Sequence, residues 1–221
     1  SYQGLRNGLT AAQLTEGPNK ATANSKVGKR WSSPSFGGDA NYLTTPLNVM
    51  SVAESWFNRA EGALLNWDMN GTAKELYEKG IKASMNQWGI TDEAAITAYT
   101  NSTKTPVAPQ DYLNSPAVSD APVKWAGDIE TQREQISIQK WLAMFPDGNE
   151  AWADFRRARY FKMYPVANSE NPDLPDPTTE WIRRIPFLLS EKQNNGAEVE
   201  KAVPLLGGED KITTPLWWDT H

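Results

Sequence analysis

Between Pro46 and Gly89 the apolar residues recur at spacings of three and four, the period of one face of an α-helix and not of a strand. Val49, Ala53, Trp56, Phe57, Ala60, Leu64 and Trp67 make a first stripe, and Glu54, Asn58, Arg59 and Asn66 fall on the opposite side. Thr45 is placed to cap the free N–H groups while Pro46, which has none to satisfy, takes the first helical position. A helix over 46–67 is therefore predicted. Asn70-Gly71 suits a turn with positive φ, and Thr72 with Glu75 has the spacing of a capping box, which starts a second helix over 72–88. Leu76, Tyr77, Gly80, Ile81, Ser84, Met85 and Trp88 supply its buried face, and Gly89 is suited to end it in a left-handed conformation. Gly80, with Ser84 one turn on, lets another helix come close. So short a link forces an antiparallel hairpin, the unit stacked in tetratricopeptide solenoids. Trp56, Phe57, Leu76 and Ile81 should be deeply buried. No second copy follows at a fixed period, so a regular repeat array is not expected.

The flanking regions read differently. Residues 1–45 are rich in Gly, Ser, Thr and Asn, with Gly17-Pro18, Ser33-Pro34 and Gly37-Gly38 as breakers, and should be extended and loop-rich. Thr91 is placed to cap a helix ending near Tyr99. Residues 101–127 carry Pro106, Pro109, Pro116 and Pro122 and should form a long connection, with at most one helical turn near Gln110 to Leu113. Ile129, Gln132, Ile136, Gln139 and Ala143 share a stripe, broadened by Ile138, Trp141, Leu142 and Phe145, so a third helix is predicted from Ile129 to Met144. Pro146-Asp147-Gly148 stops it, and Asn149 is placed to cap another in which Trp152, Phe155 and Arg159 share a side. From Tyr164 onward, Pro165, Pro172, Pro175, Pro177, Pro186, Pro204 and Pro215 predict irregular coil wrapping the helices. Loops this long in a compact protein usually carry function or are held by a partner.

Composition removes most catalytic chemistry. There is no cysteine, and the only histidine is His221, so disulfides, thiolate nucleophiles, a Ser-His-Asp triad and a histidine-rich zinc site are not expected. Neither a cofactor nor a metal is expected. The net charge of −5 disfavours nucleic acid as a partner, because a phosphate backbone rewards a positive surface. The local clusters Arg156, Arg157, Arg159 and Lys162, and Arg183 and Arg184, read as ion-pairing surfaces. No run is long and apolar enough to span a membrane, and a chain beginning at Ser1 reads as a processed or trimmed piece. Asn70-Gly71-Thr72 and Asn101-Ser102-Thr103 match the glycosylation triplet, though turn and cap chemistry explains the first. Asp147-Gly148-Asn149-Glu150 lacks the spaced carboxylates of a calcium loop, and Gly37-Gly38-Asp39 is not a phosphate loop. Glu54 and Glu61, on one helix and roughly 10 Å apart along its axis, admit an α-helical glycosidase as an alternative. Their place beside the apolar stripe suits ion pairing between helices better. A helical protein-interaction scaffold is a further alternative.

The chain carries ten tryptophans. Trp56, Trp67, Trp88, Trp141 and Trp152 occupy apolar helical positions and read as core, and the Trp217-Trp218 pair reads as fastening the C-terminus. An indole stacks its apolar face on a sugar while its N–H bonds a hydroxyl, so loop aromatics are the ligand candidates. Those best fitting a rigid platform with polar neighbours are Trp31, Phe36, Tyr42, Tyr112 and Trp125, with Asp39, Asn41 and Asp111 beside them.

Several segments in order resemble the C-terminal half of a SusD/RagB-type outer-membrane lipoprotein. They are Ala53-Glu54-Ser55-Trp56-Phe57-Asn58-Arg59-Ala60-Glu61-Gly62-Ala63, Tyr77-Glu78-Lys79-Gly80-Ile81, Gln139-Lys140-Trp141, Glu150-Ala151-Trp152, Phe155-Arg156-Arg157, Arg183-Arg184-Ile185-Pro186-Phe187, Asn194-Asn195 and Leu216-Trp217-Trp218-Asp219. The resemblance implies a mainly α fold: tetratricopeptide-like helical hairpins in a SusD-like α-α superhelix, with long loop-rich segments. Residues 1–221 would be the C-terminal portion of a SusD-like domain, with the hairpin at 46–89 and, over 90–221, helices with long coil wrapping the core. It also implies a lipid-anchored protein on the outer face of a Gram-negative outer membrane, whose lipid-acceptor cysteine is missing from this chain. Such a protein binds a nutrient, typically an oligosaccharide, without catalysis and delivers it to a SusC-like TonB-dependent transporter. The family's glycan contacts vary among members, so the resemblance transfers no site residue.

Overall fold

A computed structural model of the protein describes residues 4–20, 22–25, 28–109, 113–176 and 180–219. The chain divides into two compact units, one of Lys26–Pro109 with Pro116–Lys162, the other of Ser1–Ser25, Gln110–Ser115 and Met163–His221. The described residues form helices and short 3-10 turns joined by coil, without strands.

The first unit is built on α1 (Val52–Leu64) and α2 (Ala73–Gln87), which pack along one another. The start of α1 differs from the prediction. Ser51 caps it, its hydroxyl accepting the Glu54 N–H at 3.0 Å, and residues 46–51 stay outside the helix. Ser51-x-x-Glu54 offers the same serine-to-glutamate spacing as a capping box, and a serine satisfied as a cap competes with continuing the helix toward Pro46. The end also comes earlier than predicted, because Asn66 adopts φ +62° while its N–H donates to the Ala63 carbonyl and that of Trp67 to the Gly62 carbonyl. These are the paired bonds of a left-handed helix stop. Val49 and Trp67 consequently leave the stripe and are 85% and 62% exposed. The predicted stop of α2 is present: Gly89 takes φ +81°, with its N–H on Asn86 and that of Ile90 on Met85. Its start is the predicted capping box, in which the Thr72 hydroxyl accepts the Glu75 N–H at 3.3 Å and the Thr72 N–H donates to the Glu75 carboxylate at 2.9 Å.

The core joins Ala53, Phe57 and Ala60 of α1 to Leu76, Tyr77 and Ile81 of α2, and to Ile136 and Ala143 of α4 (Ile129–Ala143). Gly80 is needed here, since a Cβ on it would stand 2.6 Å from the Phe57 ring. Trp56, predicted to be deeply buried, is only half-buried, with the Arg59 guanidinium 4.5 Å and the Lys79 ammonium 5.3 Å from its ring. The cations cover the part of the ring that the hairpin packing leaves open. Trp88 and Trp152 are likewise half-buried, and Trp141 is exposed. Glu54, assigned to the polar face, is buried.

α3 (Glu93–Thr100) is capped by Asp92, whose carboxylate accepts the Ala94 N–H, in place of Thr91. The connection that follows has no regular structure among its described residues, and the turn expected at Gln110 to Leu113 rests on residues outside them. Gln135 of α4 pins this connection: its amide nitrogen donates to the carbonyls of Pro122 at 2.7 Å and Lys124 at 2.8 Å, and its oxygen accepts the Ala126 N–H at 3.1 Å. The buried stripe of α4 is narrower than predicted, because Ile129 and Leu142 are exposed. α5 (Gly148–Ala158) is capped by Asp147, which accepts the N–H groups of Asn149 and Glu150, and not by Asn149. Of the basic cluster, Arg157 makes ion pairs, and Lys140 of α4 joins it. Lys140 donates to Asp154 at 2.6 Å with both side chains buried, Arg157 reaches Asp154 at 2.9 Å, and Arg157 grips both Glu61 oxygens at 2.7 Å. That fork ties α1 to α5.

The second unit is mostly coil, but residues after Tyr164 are less irregular than their prolines suggest. α6 (Leu189–Asn194) and α7 (Gly196–Ala202) form in the proline-free stretch between Pro186 and Pro204. Asp210 ties α6 to the coil before it, accepting from Arg184 at 2.6 Å and pairing with Lys192 at 2.7 Å. Burial works against its charged form, but the bonds from Lys192, Arg184 and the Phe187 N–H outweigh this and hold its carboxyl down to about 2. Trp217 is 90% exposed, so it does not fasten the chain end; the buried Asp219, paired with Arg183 at 3.2 Å, does. Pro177 and His221 lie outside the described residues.

Candidate functional site: an aromatic platform

Glycine and proline keep residues 28–45 from forming a helix of any length. The segment instead makes single 3-10 turns at Lys29–Trp31, Pro34–Phe36 and Tyr42–Thr44. Gly37 takes φ +78°, and Gly38 lies so close to the Ser32 carbonyl that a Cβ there would overlap it. The fold-back is closed by the Asp39 N–H on the Lys29 carbonyl at 3.0 Å and the Thr45 hydroxyl on the Arg30 carbonyl at 2.5 Å.

This arrangement holds Trp31 against two rings from distant parts of the first unit. Its centroid is 5.6 Å from that of Trp88, at the end of α2, and 5.6 Å from that of Phe145, just past α4, with interplanar angles of 62° and 85°. Trp88 and Phe145 are themselves 6.0 Å apart. Edge-to-face contacts of this kind hold the rings rigidly beyond what burial alone supplies. Trp31 and Trp88 are half-buried and Phe145 is exposed, so the trio presents an apolar surface to solvent. The Arg30 guanidinium lies 5.8 Å from the Trp31 ring and 5.2 Å from the Trp88 ring.

The other predicted ligand residues distribute as follows. Phe36 is 79% exposed, Asp39 and Asn41 are exposed, and Tyr42 is half-buried, all on the folded segment that carries Trp31. Trp125 is elsewhere, its ring 4.9 Å from that of Tyr77 at the edge of the core. Tyr112 and Asp111 lie outside the described residues. Trp88 and Phe145 escaped the sequence reading because helical spacing assigned both to the core. The signal that marks them is their position: one precedes Gly89 and the other Pro146, so each sits where a helix stops and a side chain overhangs into solvent.

Two further features of the first unit bear on chemistry. A groove of about 570 Å³ is lined mainly by apolar groups, among them Tyr77, Tyr99, Pro122 and Leu142, with Lys104 and Gln139 as polar members. The Tyr77 hydroxyl donates to the Val123 carbonyl at 2.8 Å, and burial pushes its pKa upward. Separately, Glu54, Asp147 and Glu150 line a cleft of about 10 Å³. Burial raises the Glu54 pKa; Lys140 opposes the rise and Glu150, Asp154 and Asp147 add to it. A cleft of that volume encloses a water at most. Glu61, the other half of the carboxylate pair considered from sequence, is occupied by Arg157. Among the described residues no cluster of three or more His, Cys, Asp or Glu could hold a metal ion, and no helix is long and apolar enough to cross a membrane.

The sequence matches the family model described as "SusD-like: Susd and RagB outer membrane lipoprotein" over residues 1–219. No curated protein matches it. Among solved structures, a chitin-binding SusD homolog from Flavobacterium johnsoniae is 36% identical, with a TM-score of 0.78 over 100% of this chain and 43% of that one. A SusD-like protein from Bacteroides thetaiotaomicron is 37% identical, with a TM-score of 0.70 over 80% of this chain and 38% of that one. A SusD homolog from Parabacteroides distasonis is 27% identical, with a TM-score of 0.71 over 100% of this chain and 41% of that one. The chain thus spans less than half the length of these structures. With a helical fold shared with them and a family match along nearly all of its sequence, the chain belongs to the SusD-like family of outer membrane lipoproteins.

Proposed function

We propose that the protein is a non-catalytic, lipid-anchored binding protein on the outer face of the outer membrane, which captures an oligosaccharide or other nutrient and passes it to a SusC-like TonB-dependent transporter. The observation that carries this reading is a solvent-facing platform of Trp31, Trp88 and Phe145 in a member of the SusD-like family. One relative is a chitin-binding homolog, which supports a saccharide as the first ligand to try. Of the ligand residues expected from sequence, Trp31, Phe36, Asp39, Asn41 and Tyr42 form the proposed contact set, with Trp88 and Phe145 completing the platform. Trp31 ranks first, because its neighbours hold it rigidly. Trp125 stands outside the set, because its ring already packs on Tyr77.

Stacking contributes on the order of 1 kcal/mol per ring. Titration of the protein with chitin, glucan and galactan oligosaccharides should give saturable binding to at least one and release no reducing ends. W31A should weaken that binding about five- to tenfold, with circular dichroism showing that the variant stays folded. Steady product formation that a single Asp or Glu substitution abolishes would sink the non-catalytic reading.

A further inference from the structure

We infer that the platform prefers saccharides bearing an anionic group, a uronate carboxylate or a sulfate ester, and that Arg30 is the residue that recognises it. The inference rests on the capture reading above and names the ligand class of the same site. Arg30 is exposed, and its guanidinium stands 5.2 Å from the Trp88 ring and 5.8 Å from the Trp31 ring. No acceptor among the described residues bonds its side chain. Elsewhere the arginines are engaged: Arg59 donates to the Met69 carbonyl, and Arg133, Arg157, Arg183 and Arg184 bind Glu130, Glu61, Asp219 and Asp210. Arg30 is held by rings and left with a free donor fork, a geometry that matches the planar or tripodal oxygens of carboxylate and sulfate.

The local charge agrees. The chain as a whole is acidic, at −5, yet from Gly17 to Gly38 it contains Lys20, Lys26, Lys29 and Arg30 and no acid. Asp39 is the one acid between Gly17 and Ala53, and its N–H bonds the Lys29 carbonyl at 3.0 Å, so the folded segment carries more cations than carboxylates. Lys29 shares the 3-10 turn of Arg30 and Trp31, which puts a second basic residue in the same turn. Rings that stack on a sugar face, together with a guanidinium over them that no acceptor among the described residues engages, select an anionic saccharide over a neutral one. Charge alone would hold any polyanion, and rings alone would hold any sugar.

The test is calorimetric titration of the protein with tetragalacturonate, a sulfated galactan tetrasaccharide and a neutral tetrasaccharide of chitin or glucan. One or both anionic sugars should bind at least about tenfold more tightly than the neutral one, with the preference shrinking as salt rises. The comparison of the two anionic arms tells carboxylate from sulfate. R30Q should bring the anionic-to-neutral ratio close to one, and R30K, which keeps the charge but loses the fork, should retain part of it. Circular dichroism of both variants controls for folding. Equal affinities for charged and neutral sugars, or a preference that survives R30Q, would overturn the inference and leave saccharide capture standing. So would a short single-stranded oligonucleotide binding as tightly as the acidic sugar. Absence of binding to every saccharide would remove the capture reading and this inference together.

Discussion

The α1–α2 hairpin and the segment just before it, residues 28–51, are both rich in large apolar side chains, and they dispose of them in opposite ways. In the hairpin Phe57, Leu76, Tyr77 and Ile81 are fully buried. In the preceding segment Phe36, Leu43, Leu47, Val49 and Met50 all face solvent. Apolar content is therefore not what buries a residue in this protein. Periodicity is: a helix collects residues three and four apart onto one face that a neighbour can cover. Isolated 3-10 turns, broken by Gly28, Pro34, Gly37 and Pro46, assemble no common face. The same breakers that deny the segment a core leave Trp31 available for a ligand.

Substitution on either side of this divide should give effects of very different size. Truncating Phe57 removes a wholly buried ring at the centre of the hairpin, and F57A should lose about 3–5 kcal/mol in urea unfolding. G80V drives a branched side chain into that ring from the other helix; a loss of about 3 kcal/mol is expected, and an unchanged unfolding midpoint would show that the close approach is not needed. T72A removes the hydroxyl that accepts the Glu75 N–H and should cost about 1 kcal/mol.

Glu54 gives a smaller effect with a definite sign. Folding raises its pKa above the ordinary 4.5, so the folded chain binds this proton more tightly than the unfolded chain does. The stability so gained is full below the unfolded value and is lost as pH rises through the folded one. E54Q should accordingly be more stable than the native protein at neutral pH, with the margin vanishing below pH 4.5. A margin that grows on acidification would be the wrong sign. Smallest of all, L47S in the exposed segment should move stability by no more than about 0.5 kcal/mol. A loss as large as that of F57A would erase the contrast between the two regions.

The hairpin was legible from sequence because each of its signals is local. Asn70-Gly71, the Thr72–Glu75 box, the stripe and Gly89 each occupy a turn or two of chain. The start of α1 was misread although Ser51-x-x-Glu54 spells a cap as plainly as Thr72-x-x-Glu75 does, because Thr45-Pro46 offered a competing one. The Ser51 hydroxyl takes the Glu54 N–H, so the later cap starts the helix. Trp31 was readable as a candidate from its loop setting, but its partners were not. Trp88 and Phe145 meet it through packing of segments more distant in sequence than any periodicity spans, and each also satisfies a helical pattern. The grip of Arg157 on Glu61 was foreseen only as a class of interaction, since sequence cannot say which carboxylate a guanidinium will face.

α1 and α2 are joined by Leu65–Thr72 alone, whereas α4 reaches the pair only after the span Trp88–Asp128, which includes α3 and is roughly five times longer; closing it from the unfolded chain costs about 1.4 kcal/mol more in chain entropy. The hairpin should therefore pair first during folding, offering Phe57, Tyr77 and Ile81 as a nucleus on which Ile136 and Ala143 later condense. F57A should then slow refolding nearly in proportion to its loss of stability, while I136A should act mainly by hastening unfolding. The reverse pattern would place the nucleus at α4 and make the short turn an effect of folding and not its beginning.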